Sequence, residues 1–150
     1  MATKKSPRKV SAVIGIEFNH AMIYSADVAR SLKFYVDLLG FEPVEVFEWQ
    51  GRPVYARLKS PRGTGTLALH HPEPGQTVPR ADGIRLYFEV KQLEKFCKKL
   101  EAAGVSIKQP PKLMPWGWMH AYLDDSDGHE LSLYWAGARR FRRSKNNPKK

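Results

Sequence analysis

The sequence predicts an α+β fold of two βαβββ modules, a curved, half-closed mixed sheet around a central cavity with the helices outside. Three observations predict it. His20–Phe41, HAMIYSADVARSLKFYVDLLGF, compresses a strand, a capped helix and a glycine stop into one short segment. A weaker copy, strand then helix then Gly104, returns about 65 positions later. After each helix, three strand-like runs follow, separated by turn residues.

Val13 to Ser25 reads as the first strand, with Ile14, Ile16, Phe18, His20, Met22 and Tyr24 on one parity. Asp27 is placed to cap the next helix, because its short carboxylate can accept the orphan amide protons of a first turn. Val28, Leu32, Tyr35 and Leu39 recur at helical spacing and form one apolar face. Gly40 then supplies a left-handed stop and Phe41 the apolar residue beyond it. Strands are expected at 44–49, 54–59 and 66–71, separated by Gln50–Pro53 and by the turn SPRGTG. Proline and glycine mark 71–83 as the loop between modules. The second module repeats the order: a strand over 84–90, then a helix with Leu93, Phe96, Cys97, Leu100 and Ala103 on one face. A short strand at 105–108, a proline-rich loop at 109–117 and strands at 118–123 and 130–135 complete it, with DDSDG turning between the last two. In that last strand Leu131, Leu133 and Trp135 face one way, and Glu130, Ser132 and Tyr134 the other.

The organisation is thus one domain over residues 13–136, with modules at about 13–72 and 83–136 and basic tails, read as disordered, at 1–12 and 137–150. The net charge of +10 belongs to those tails. Residues 1–9 carry four basic side chains and 139–150 carry seven, with no acid in either, so the stretch between is close to neutral. Such tails allow weak attraction to nucleic acid or an anionic surface, but a single aromatic, Phe141, gives no platform for stacking bases. The lone Cys97 rules out an intrachain disulfide and points to a reducing, cytoplasmic setting; its helical neighbours mark it as packing rather than a nucleophile. No apolar run is long enough to span a bilayer. Glycine-rich phosphate loops, nucleophile elbows and cysteine dyads are lacking too.

A His followed seven residues later by Asp, then S-L-x-F-Y and L-G-F, resembles the first module of vicinal oxygen chelate proteins, the glyoxalase, bleomycin-resistance and extradiol-dioxygenase relatives. The ending PWGW, a strand and DSDGHELSLYW is similar to the close of their second module. That resemblance implies a homodimer and a small-molecule cavity between modules. In metal-dependent relatives it also implies four inward ligands, one on the first and one on the last strand of each module. Here those positions hold His20, Ala68, Arg85 and Ser132. Ala68 offers no ligand atom, and a guanidinium is a permanent cation with donors only. The full metal site is therefore not expected, and no cofactor is required. A divalent metal is still possible if His70 and Glu130, each two residues along its strand, joined His20.

Arg85 is expected either to pair with Glu89 or Glu130 or to clamp an anionic ligand. With His20 as a general base, Arg85 could also stabilise an oxyanion, which leaves a lyase, isomerase or dioxygenase reading open beside plain binding. Trp116, Trp118, Tyr87 and Tyr55 are the aromatic candidates for a ligand wall, suited to a flat or apolar molecule. His71, before Pro72, should face outward. DDSDG lacks the twelve-residue loop and distal bidentate glutamate of a calcium site and reads as a hairpin turn.

Overall fold

The computed structural model describes residues 17–77 and 83–137. Expectations for the basic tails, other than at Gly137, and for the start of the first strand fall outside these residues. The first sheet has the order β1-β4-β3-β2, from β1 (Ala21–Tyr24), β2 (Glu42–Trp49), β3 (Arg52–Lys59) and β4 (Thr66–His70). The second sheet has the order β5-β8-β7-β6, from β5 (Leu86–Glu89), β6 (Ile107–Leu113), β7 (Met119–Asp124) and β8 (Glu130–Trp135). In each the outer pair, β1·β4 and β5·β8, is parallel and the rest antiparallel. The two βαβββ modules of the sequence reading are therefore present, and among the described residues neither sheet closes into a barrel.

Helix α1 (Val28–Leu32) starts where Asp27 accepts the Arg30 amide at 3.0 Å. It continues as a π-helical stretch, Lys33–Leu38, whose wider turn buries the sequence neighbours Phe34 and Tyr35 together. Gly40, at φ +79°, ends it as expected. Helix α2 (Leu93–Ala102) buries Leu93, Cys97 and Leu100, which are spaced by four and three residues. Cys97 is a packing residue: burial, with Glu101 nearby, raises its thiol to about 11, so it stays protonated. Both helices lie on the apolar faces of their sheets. Alternation supplies those faces: Ile23, Ala56, Leu58, Leu67 and Leu69 in one module, and Ala121, Leu123, Leu131 and Leu133 in the other.

One expectation fails in the second module. Residues 109–113 are not loop; β6 runs through Pro110 and Pro111. It survives because β6 is a sheet edge, where missing amide donors break no ladder bonds on the open side, and its register to β7 shifts across this segment. Residues 17–20, expected in the first strand, carry no strand pairing.

The modules meet through a staple of polar groups. Tyr35 on the helix of the first module donates to Asp125 at 2.7 Å. Asp127 accepts the Ala26 amide at 2.9 Å and the Ser31 hydroxyl at 2.9 Å, and His129 Nε2 donates to the Tyr24 carbonyl at 2.7 Å. Phe41 and Phe88 add an edge-to-face contact at 5.7 Å. The hydrogen bonds join the first helix and the end of β1 to the turn between β7 and β8.

Candidate functional site

Inward-facing residues of the second sheet come from alternate positions on three strands, β5, β8 and β7. One row runs Glu89, Tyr134, His120; the next runs Tyr87, Ser132, Tyr122. His120 is the centre, 2% exposed. Trp118 lies nearly parallel to it at 6.3 Å, Tyr134 lies 5.7 Å away at 23°, and Tyr122 is 5.9 Å away. Tyr87 and Trp116 present edges at 6.2 and 5.4 Å. Both of these outer rings are about half exposed, so this ring-lined face, called the basin below, keeps two aromatic surfaces in solvent.

The imidazole has a single tautomer. Trp116 Nε1 can only donate, and it donates to His120 Nε2 at 3.3 Å. Nε2 is therefore the acceptor, and the proton sits on Nδ1, which donates to the Ser132 hydroxyl at 2.9 Å. Burial first, and the Arg85 cation second, lower the pKa of His120, so the ring is held neutral.

A belt of charge borders the basin. Arg85 pairs with Glu130, one of its two expected partners, and lies 5.0 Å from the centre of the Tyr122 ring. Lys108 bridges Glu130 at 2.8 Å and Asp124 at 3.0 Å. Lys108, then Arg85, hold the Glu130 carboxyl below its ordinary range.

Of the expected aromatic residues, the structure gathers Tyr87, Trp116 and Trp118 here. Tyr55 belongs to the first sheet, 5.9 Å from His70. That sheet has its own hollow, about 660 Å³, lined by Phe47, Trp49, Tyr55, His70, Pro72 and neighbouring loop residues. That hollow is lined by the first module and the ring cluster by the second, while a smaller cavity of about 170 Å³ lies between them, with Leu39, Phe41 and Pro61 on one side and Tyr87, Phe88 and Phe96 on the other. His71 is exposed, as expected.

His20 Nδ1 donates to the neighbouring Asn19 side chain at 2.6 Å, and His70 Nδ1 to the His71 carbonyl. Glu130 is on the other sheet, engaged by two cations. The trio His20, His70 and Glu130 does not converge as a metal site. The four positions implied by the resemblance do not fit a metal either: Ala68 is fully buried with no donor, Arg85 is a paired cation, and the Ser132 hydroxyl is committed to His120. Asp125, Asp127 and His129 do gather, with ligand atoms within 4.8 Å of one another. Both carboxylates already accept hydrogen bonds: Asp125 from Tyr35 and from the amides of Asp127 and His129, and Asp127 from Ala26 and Ser31. They serve the turn and the staple.

Sequence reasoning missed His120. A signal was available: it shares parity with Trp118 and Tyr122 on one strand, opposite the inward set Glu130, Ser132 and Tyr134.

Comparison with known proteins agrees with this architecture. The profile of the Glyoxalase/Bleomycin resistance protein/Dioxygenase superfamily matches residues 17–133. An uncharacterized protein, YwkD, of Bacillus subtilis (strain 168) is 31% identical over 121 residues, 77% of this chain and 94% of its own length. A crystal structure of a superfamily member from Sphaerobacter thermophilus superposes with a TM-score of 0.65 at 26% identity, covering 80% of this chain and 98% of that one. TnmS3, an antibiotic binding protein from Streptomyces sp. CB03234, shares the fold with a TM-score of 0.66 at 22% identity, over 81% of this chain and 98% of its own.

Proposed function

For this chain, which belongs to the glyoxalase/bleomycin resistance protein/dioxygenase superfamily, we propose binding of a small planar aromatic molecule on the concave face of the second sheet, without the superfamily's four-ligand metal site. The observation that carries it is the ring of Tyr87, Trp116, Trp118, Tyr122 and Tyr134 about His120, with two of the rings half exposed. Aromatic faces gain most from flat ligands, and half-exposed rings at a basin's rim have area left to cover. The antibiotic-binding description of TnmS3, a protein of the same fold, is compatible with this use. Arg85, although paired, keeps about 44% of its side chain exposed and gives the rim a place for a ligand's carboxylate or phenolate.

Titration with naphthalene-2-carboxylate, followed by tryptophan fluorescence, tests the reading. Saturable quenching, weakened at least tenfold in Tyr87→Ala, is expected. Cyclohexanecarboxylate binding equally well would remove the aromatic basis. Metal analysis of protein purified without chelator tests the other half: one metal per chain, lost in His20→Ala, would overturn it. A homodimer, the state expected from the resemblance, forms part of the same proposal and is read from sedimentation equilibrium.

A further inference from the structure

We propose that His120 Nε2 is the recognition point of the basin: it accepts a hydrogen bond from a hydroxyl or N–H on the ligand's ring, and the Trp116 indole keeps that position satisfied until the ligand displaces it. This rests on the aromatic-binding reading above and names the polar group that strengthens the binding of such a ligand.

The two nitrogens of His120 are held in different ways. Nδ1 donates to Ser132, which is fully buried on the central strand β8, so that partner is permanent. Nε2 is met by Trp116, which lies in the turn between β6 and β7 and is 48% exposed. The turn is closed by the Gly117 amide on the Met114 carbonyl at 2.8 Å, with Gly117 at φ +90°. With His120 2% exposed and Trp116 half exposed, the indole stands on the solvent side of the imidazole. Its bond, at 3.3 Å, is longer than an ordinary N–H hydrogen bond, so a better donor can replace it favourably.

The fixed tautomer decides the ligand chemistry. An Nε2 without a proton takes a donor and rejects an ether, a carbonyl or a carboxylate at the same place. The other surroundings of His120 are rings, so the donor must be carried on a flat apolar frame: a phenol, an indole or an aromatic amine. A ligand that moved the indole aside with no donor of its own would leave a buried acceptor unpaired, and this makes the discrimination steep.

The test compares 2-naphthol with 2-methoxynaphthalene, which share ring and oxygen and differ in the donor, on the intact chain. Wild type is expected to bind the naphthol about tenfold more tightly. Trp116→Phe, which removes the resident donor from an exposed position and with it the cost of displacing the indole, should tighten both compounds by several fold and keep the preference for naphthol. His120→Phe should bind both alike; its melting curve shows whether it folds, and Trp116→Phe stands as the independent variant. Equal binding of the two compounds by wild type and by Trp116→Phe overturns the role of His120 while leaving the aromatic basin intact. Failure of both compounds to bind wild type overturns both readings.

Discussion

The corresponding rows of the two sheets make an informative pair. In the first module the row runs Tyr24, His70, Tyr55; in the second it runs Glu89, Tyr134, His120. Histidine and tyrosine have traded strands. His70 is partly exposed beside its hollow, with two tyrosine edges and one backbone carbonyl as company. His120 is sealed among rings and has both nitrogens bonded. Burial accounts for the difference: an imidazole open to water can leave a nitrogen to solvent, whereas a sealed one needs a protein partner at each. A duplicated frame thus carries an open face on one side and a specified polar network on the other.

The largest way to break the comparison is at the staple that holds the two modules in place. Asp125→Ala strips the acceptor from the Tyr35 hydroxyl and from two backbone amides, and should cost about 3 kcal/mol in urea unfolding. A loss below about 1 kcal/mol would show that the modules are held by apolar packing alone. Tyr35→Phe should cost about 1–1.5 kcal/mol by the same reasoning. It also has an alkaline signature. Burial, then the charge of Asp125, raises the Tyr35 pKa well above 10.0, so above pH 10 the unfolded chain releases a proton the folded chain retains. Stability from this group is full below pH 10 and lost as pH rises through the folded value. Melting curves above pH 10 should therefore fall more steeply for wild type than for Tyr35→Phe.

His120 sharpens the contrast from the acid side. Its folded pKa is lowered, so its contribution is present above about pH 6.5 and lost as pH falls through the folded value. Part of the acid destabilisation of wild type should disappear in His120→Phe; identical profiles for wild type and the variant would mean that the seal around His120 is imaginary. The smallest effect belongs to the charged rim. Glu130→Gln removes pairs whose cationic partners are both nearly half exposed, and should change stability by less than about 1 kcal/mol, diminishing in salt.

Much of this was readable in advance. Helix faces, the Asp27 cap, the Gly40 stop and the succession of strands and helices along the chain came from periodicity and turn residues, because those are local consequences of backbone geometry. Lines that depended on meeting across the fold were less accessible. The DDSDG segment is a turn, as its composition indicates, yet nothing local shows that Asp125 would find Tyr35 from the other module. Prolines 110 and 111 argued for loop because an edge position cannot be seen from a single segment. Among the expected aromatic residues, Trp116, Trp118 and Tyr87 come together around His120 on the second sheet while Tyr55 lies beside His70 on the first, a division that spacing along the chain does not reveal.

Those two prolines have a wider consequence. Both free margins of a sheet could in principle recruit a neighbour's backbone, and β2 has every residue exposed along its length. On β6, however, two successive residues have no amide hydrogen to offer, and the register there is broken. A β2 strand from one molecule therefore has no good ladder to join on the β6 of the next, and head-to-tail growth into a fibre is blocked at that end.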